Sequence, residues 1–225
     1  MHFHLPKPLH GWRAFIGEVG IIVVGVLIAL GAEQLVETIH ERSEVGELRA
    51  ALRGELADDR GRWERIRAGD RCTGQRLDAL EKWVGSAPPG ASLGGNAYRL
   101  FLWNMHSSAW DIAKTSPAVA HIPLHERLTY AALYGATDNW RQFLNEEDEN
   151  ARALWALLAT ADQPENRRQI RFRLAQAHSY LTRRAVNYGY FFTRFDELEI
   201  KPDYSQQNFS IDPQELCKPL VAAKG

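Results

Sequence analysis

The chain has 225 residues and a mass of 25.5 kDa, which allows one or two domains with a buried core. Its 27 Lys and Arg residues nearly balance its 28 Asp and Glu residues, and the net charge of -1 excludes a chain that is basic throughout and binds polyanions. Its two cysteines are too few for a disulfide-rich scaffold or a multi-cysteine zinc module.

An apolar segment lies near the N-terminus. Residues 19–32 carry no polar side chain, and residues 14–17 extend the stretch, with Glu18 as its one interruption. At about 1.5 Å per residue this length is close to the thickness of the bilayer hydrocarbon. We therefore predict a transmembrane helix over residues 14–32, preceded by an N-terminal arm over residues 1–13.

Two other interpretations of this segment stay open. Lys7 and Arg13 ahead of the apolar run, with the small residues Ala29 and Gly31 near its end, are also typical of a cleaved signal peptide. A core helix of a soluble protein would usually carry a polar face, which this segment lacks. Because the helical pattern continues beyond Gly31, an uncleaved anchor is favoured.

The charges that flank the span predict its orientation. Lys7 and Arg13 precede it, and Arg42 and Arg49 follow it, so the two sides carry equal numbers of basic residues. Arg13 adjoins the span whereas Arg42 lies further away, which favours a cytoplasmic N-terminus. The expected location is the cell inner membrane, with a single pass and a periplasmic C-terminal domain.

Three residues within the span are candidates for contacts with other helices. Glu18 is an ionisable group inside an apolar segment, which is costly and indicates a functional role. The alternative is that Glu18 lies at the headgroup level and pairs with Arg13. Gly25 and Ala29 form a pair of small residues four positions apart, a spacing that permits close helix packing and favours dimerisation.

The remaining chain is predicted to form a helical domain over residues 33–200, followed by an irregular tail over residues 201–225. A stalk helix over residues 33–68 shows apolar residues at helical spacing, and a Pro- and Gly-rich loop is predicted over residues 85–95. Other predicted helices cover 73–84, 96–104 continuing into 108–115, 123–143, 145–160 and 165–199. Because no set of segments alternates with a period of two residues, the fold class is all-α, a bundle of five or six helices behind the transmembrane helix.

The predicted core follows from the same spacing. Expected inward-facing residues of the first two helices are Val45, Leu48, Leu52, Leu56, Trp63, Ile66, Leu77, Leu80 and Val84. Those of the later helices are Leu124, Leu128, Ala131, Leu133, Trp140, Phe143, Ile170, Leu174, Ala177, Leu181, Val186, Tyr188 and Phe192. Asn145 is expected to cap a new helix, with residues 146–149 as its solvated acidic first turn.

Two stretches resemble a family of uncharacterised bacterial single-pass membrane proteins with a domain of unknown function. Residues 17–30, Gly-Glu followed by an aliphatic run that ends Gly-Val-Leu-Ile-Ala-Leu, resemble its N-terminal signature. Residues 109–116, with Leu124, Leu128 and Tyr134 beyond them, resemble its midpoint, although Pro117 stands where the family usually has Gly. The resemblance implies a single-pass anchor and a helical domain of unknown function, and it supplies no catalytic residues.

The histidines and arginines are weak candidates for binding sites. His121 and His125 have the spacing of a helical metal pair, but Pro123 lies between them, and His106 and Asp111 are only guesses for a third ligand. We therefore predict no metal site. The arginines of the last helix are expected to pair with acidic residues of neighbouring helices, and no nucleic-acid partner is predicted. They are Arg167, Arg168, Arg171, Arg173, Arg183, Arg184 and Arg194.

No nucleophile elbow, phosphate-binding loop, dinucleotide fingerprint or HExxH motif occurs, so the chain is predicted not to be an enzyme and to need no cofactor. The expected function is that of a membrane-anchored interaction or structural module that binds an envelope protein or a second copy of itself. The alternative is a sensor-like bundle that binds a ligand and acts through a partner.

The two cysteines bear on the compartment. In an oxidising periplasm Cys72 and Cys217 can form a disulfide that tethers the tail, whereas in the cytosol they would stay reduced. The alternative is two unpaired thiols, because cysteine is often simply a buried apolar residue.

Overall fold

The computed structural model describes residues 11–88, 91, 93, 98, 104–205 and 217–220. Its helices are α1 (Trp12–Ser86), α2 (Ser108–Ala113), a 3₁₀ helix (Pro117–His121), α3 (Leu124–Leu158) and α4 (Pro164–Glu197). No β-strand occurs within these ranges, so the all-α prediction is confirmed.

The predicted number of helices is wrong: the described part of the chain has four α-helices, not a span and five or six more. The apolar segment and the predicted helices 33–68 and 73–84 all belong to α1, which continues through Gly46 and Gly54. Each helical glycine costs roughly 1 kcal/mol relative to alanine. That cost is too small to break a helix whose apolar residues pack into a core.

The predicted helices 123–143 and 145–160 are likewise one helix, α3. Asn145 lies inside α3 rather than capping a new helix, because the buried face passes without interruption from Leu144 to Glu147 and Ala151. An N-cap contributes about 1 kcal/mol. The apolar burial that a continuous helix permits contributes more free energy, so the helix does not end at Asn145. The helix boundary predicted before Pro117 is correct: Ser116 has extended backbone and its side chain accepts a hydrogen bond from the Ala118 N–H.

Two units emerge from the contacts within the chain, Met1–Glu47 and Leu48–Gly225. In the first unit the described residues all belong to α1 apart from Gly11, and the large apolar side chains from Trp12 to Ile39 are exposed. An 18-residue window there has a mean hydropathy of 2.4, and none of it is buried. Among the described residues, α1 is the one helix long and apolar enough to cross a membrane, by length and composition. A signal sequence meets the same test.

The core of the second unit is formed by α1, α3 and α4. Trp63 of α1 is fully buried, and its ring centroid lies 4.3 Å from that of Trp140 and 4.1 Å from that of Phe191. These aromatic contacts join the three helices at one level. Because each ring removes a large apolar area from water, this cluster contributes strongly to the stability of the unit.

A second apolar cluster lies where α1 ends, α3 ends and α4 begins. Its members are Leu77, Leu80, Val84, Leu93, Tyr98, Ala151, Leu154, Leu158, Ala161, Ile170, Leu174 and Ala177. α1 and α4 approach closely here, since a Cβ added at Gly74 would lie 3.3 Å from Cδ2 of Leu181. The predicted inward residues of α1 and of the first half of α4 are therefore largely confirmed.

Four predicted core residues are on the surface: Ala131 is exposed, Leu124 is 62% exposed, Leu128 is 59% exposed and Val186 is 76% exposed. The buried face of α3 instead follows Thr129, Tyr130, Leu133, Tyr134 and Thr137. Leu124 and Leu128 lie four residues apart, as core residues of a helix do, but each precedes the buried face by one position. Spacing alone therefore predicted these leucines as core residues in place of the residues that follow them.

Some predictions fall outside the described residues. These include most of the N-terminal arm with His2, His4, Lys7 and His10, most of the helix predicted over 96–104, and the tail over 206–216 and 221–225. Residues 201–205 are not helical. This segment is attached to α1, because the Asp203 N–H donates to the Ala57 carbonyl over 2.8 Å.

Candidate functional site

The predicted residues of the span, Glu18, Gly25 and Ala29, all lie on α1 with exposed side chains or backbone. A Cβ added at Gly25 would meet nothing within 4 Å. The surface around Gly25 and Ala29 is therefore open to a neighbouring helix.

A groove runs along the surface of the second unit between α3 and α4, with a volume of about 470 Å³. Its α3 wall begins with small residues at Ala131, Ala132, Gly135 and Ala136. The remaining lining residues are Asn139, Trp140, Phe143, Arg183, Asn187, Tyr190 and Phe191. A volume of this size is within the range of sites that bind small molecules or side chains of a partner.

The charge of the groove is supplied by Arg183. Its guanidinium carbon lies 4.7 Å from the centroid of the Phe143 ring, a cation–π contact that fixes the side chain along the groove wall. No carboxylate of the described residues forms an ion pair with Arg183. The side-chain amides of Asn139 and Asn187 add hydrogen-bonding groups to the lining, so the groove combines an apolar floor with a positive rim.

The floor of the groove belongs to the aromatic core. Trp140 and Phe191 line the groove and also pack on Trp63. Tyr190 is half-exposed beside the groove, whereas Phe191 and Phe195 are buried. Of these aromatic residues of α4, Phe191 and Phe195 therefore belong to the core and Tyr190 belongs to the surface.

A buried ion network connects α1, α3 and α4. Arg184 lies with Nη1 3.0 Å from Oε1 of Glu147 and with Nη2 2.8 Å from Oδ1 of Asp70. The Tyr188 hydroxyl donates a hydrogen bond to the second carboxylate oxygen of Asp70. Of the seven arginines of α4, Arg184 therefore bears out the expected pairing with acidic residues of neighbouring helices.

Burial perturbs the acids of this network. It raises the pKa of Glu147 to about 7, against the opposing effect of the Arg184 guanidinium. Burial also raises the pKa of Asp70, although Arg184 and the Tyr188 hydroxyl act in the other direction. Oε2 of Glu147 has no hydrogen-bond partner among the described residues. The prediction that residues 146–149 form a solvated acidic turn is wrong for Glu147, which faces the core.

Another polar cluster joins α1 to the segment before α2. Asp58 and Asp59 are adjacent in α1, and Nδ1 of His106 lies 3.3 Å from Oδ2 of Asp58 and 3.8 Å from Oδ1 of Asp59. Arg62 donates from Nε to Asp58 over 2.8 Å, and the His106 N–H donates to both oxygens of Asp59. Burial raises the pKa of Asp59 well above its usual value, because this effect is larger than the lowering that the hydrogen bond from the His106 N–H produces.

The structure does not bring together the residues first considered as metal ligands. His121 ends the 3₁₀ helix, His125 lies in the first turn of α3, and Asp111 is in α2, where it pairs with Lys114. His106 instead meets two aspartates that the sequence did not single out. The signal that could have found them is the pair of adjacent acids at helix positions whose neighbours Leu56 and Trp63 are core residues.

Cys72 of α1 and Cys217 of the C-terminal segment form a disulfide, with their Cα atoms 4.5 Å apart. Pairing was one of the two alternatives that the sequence left open. A hydrogen bond reinforces the attachment, because Nη2 of Arg76 donates to the Lys218 carbonyl over 2.6 Å. The C-terminal segment is therefore held against α1 at two neighbouring points.

Comparison of the sequence with protein-family models, with curated proteins and with solved structures gave no match. In its described residues the chain is an all-α protein with one apolar N-terminal helix and a surface groove between two long helices.

Proposed function

We propose that the protein is a single-pass membrane protein whose helical domain is an extracytoplasmic interaction module. The groove between α3 and α4 carries this proposal. Its small residues on α3 give a partner close access to the helix backbone, and residues 131–143 extend over about 18 Å, roughly three helical turns. Such a groove suits a helical segment laid along it.

The chemistry of the groove indicates the partner's face. An apolar stripe would cover the small residues and Tyr190, and an acidic side chain would pair with Arg183. The occupant is therefore a helix of another envelope protein with an apolar face and a carboxylate at its edge. A second copy of this chain is an alternative that the experiment distinguishes.

The anchor and the compartment have separate support. The exposed apolar window of α1 supports a transmembrane helix, and residues 17–30 resemble the signature of a bacterial membrane-protein family. A disulfide between Cys72 and Cys217 is typical of an oxidising compartment, which favours a periplasmic domain. Carbonate extraction checks the anchor: the protein should stay with the membrane, and mass spectrometry should find its N-terminus uncleaved. A mature chain that starts at Ala32 would contradict it.

The partner is sought by crosslinking and affinity purification from native membranes. Ala131→Trp places a large side chain in the groove, and Ala175→Trp places the same side chain on an exposed position of α4 outside the groove lining. We expect a stoichiometric envelope protein with the wild type and with Ala175→Trp, and its loss with Ala131→Trp. Equal recovery with both variants would contradict the groove as the docking site. Recovery of the chain's own dimer alone would identify a second copy.

A sensor-like ligand-binding bundle is the second candidate, because the groove volume of about 470 Å³ is also that of a small-molecule site. A small molecule that co-purifies with the wild type and is lost with Ala131→Trp would support it.

Glu18 provides a test of the span: Glu18→Gln should reduce recovery of the partner while membrane insertion is retained. Unchanged recovery would favour the headgroup-level alternative.

A further inference from the structure

We propose that Asp58, Asp59 and His106 form a binding site for a divalent transition-metal ion of the zinc class. One ligand atom from each residue can be chosen so that all three lie within 4.8 Å of one another. This site is independent of the groove and of the partner proposed for it.

The spacing of the ligand atoms matches such an ion. Zinc binds nitrogen and oxygen at about 2.0–2.2 Å in tetrahedral geometry, which places ligands roughly 3.3–3.6 Å apart. Nδ1 of His106 lies 3.3 Å from the Asp58 oxygen and 3.8 Å from the Asp59 oxygen. Small side-chain rotations therefore suffice to bring the three atoms around one ion.

The local charges favour a cation. Asp59 is 1% exposed and Asp58 is 8% exposed, and Arg62 forms its ion pair with Asp58. A cation bound between the two acids would offset the cost of burying the Asp59 carboxylate. Each carboxylate oxygen accepts more than one bond, so Asp59 can keep the His106 N–H while it binds the ion.

The surroundings orient the ligands and leave access. Arg62 holds Asp58 through Nε and donates from Nη1 to the Asn104 carbonyl, which ties α1 to the segment that carries His106. Contacts of this kind fix ligand geometry in metal sites. The His106 side chain is 46% exposed, so an ion can enter from solvent and water can complete its coordination. One imidazole and two carboxylates suit zinc better than calcium, which takes six to eight oxygens.

The test measures Zn²⁺ binding to the purified full chain in detergent by isothermal titration calorimetry. His2, His4 and His10 are first replaced by alanine, because three imidazoles in the N-terminal arm can bind Zn²⁺ by themselves. In this background we expect one Zn²⁺ per chain. His106→Ala should weaken binding by at least about tenfold. His178→Ala is the matched control, because His178 faces a single carboxylate, Asp78, at 3.7 Å.

His106→Ala keeps the backbone N–H that bonds Asp59, and its circular dichroism should match that of the background protein. Asp59→Asn keeps an acceptor for that N–H while it removes the charge, and it should also weaken binding. Zn²⁺ should raise the Tm of the background protein and not that of His106→Ala, whereas Mg²⁺ and Ca²⁺ should raise neither. Absence of saturable Zn²⁺ binding, or equal affinity in His106→Ala, would overturn the proposal.

Discussion

Arg184 of α4 and Glu147 of α3 form an ion pair in which both side chains are only 2% exposed, with 3.0 Å between Nη1 and Oε1. Asp70 of α1 lies 2.8 Å from the same guanidinium. One arginine thus contacts acids from two other helices. The position of α4 relative to α1 and α3 is therefore sensitive to changes in any of these groups.

Removal of the arginine should destabilise the protein strongly. Arg184→Met leaves Glu147 and Asp70 buried without their cation, a change that typically costs about 3–5 kcal/mol. The measurement is thermal unfolding of the full chain in mild detergent. Arg171→Met, at an exposed position of the same helix, should change stability by no more than about 0.5 kcal/mol. Similar losses in the two variants would show that the network does not stabilise the fold.

Glu147 should make stability depend on pH near neutrality. In the folded chain the pKa of Glu147 is raised to about 7, whereas its usual value is near 4.5. The stability that this group contributes is therefore fully present below about pH 4.5 and is lost as the pH rises through 7. Asp70, Tyr98, Tyr180, Arg184 and Tyr188 surround it and remain in the variant. The Tm of the wild type should therefore fall more steeply between pH 5 and 8 than that of Glu147→Gln.

The control for this titration is Glu146→Gln, which changes the exposed neighbour on the same helix. It should keep the slope of the wild type. If Glu147→Gln and Glu146→Gln have the same slope, the carboxyl of Glu147 does not titrate in this range and the prediction is wrong.

Trp63 should be the most sensitive apolar position of the aromatic core. Trp63→Ala removes contacts with Trp140 and Phe191 and should cost about 3–5 kcal/mol. Trp63→Phe should cost less, because Nε1 of Trp63 is buried without a hydrogen-bond partner among the described residues. Tm measurements on these variants check the order. Phe172→Ala, at an exposed position of α4, should leave the Tm near that of the wild type.

The disulfide should stabilise the folded protein by reducing the conformational entropy of the unfolded chain. It links residues 145 positions apart, and loop-entropy arithmetic gives about 5 kcal/mol for a loop of this size. Cys72→Ser, Cys217→Ser and the wild type with reductant should share one lowered Tm. Thiol labelling of freshly isolated, denatured and unreduced protein should detect no free thiol. Two labelled thiols would contradict the bridge and would remove its support for the proposed periplasmic location.

The all-α class and part of the core were predictable because apolar residues recur at helical spacing. This spacing identified Leu77, Leu80 and Val84 correctly. Helix boundaries were less predictable. Asn145 has the properties of a cap, but a local preference of about 1 kcal/mol does not decide whether a buried face continues across it.

The polar clusters could not be predicted for a different reason. Glu147 lies in a run of four acidic residues, and which of them faces the core depends on where α4 places Arg184. The cluster of Asp59 and His106 joins residues 47 positions apart in the sequence. Adjacent acids were visible in the sequence, but their third partner depends on how the chain returns to α1.

Because Cys72 and Cys217 are linked, most of the second unit lies within a covalently closed ring. A single protease cut anywhere between these two positions would leave the polypeptide in one piece. The fragments would separate on a denaturing gel only after reduction. Limited proteolysis with and without reductant can therefore map exposed peptide bonds while each cut molecule keeps its C-terminal part attached.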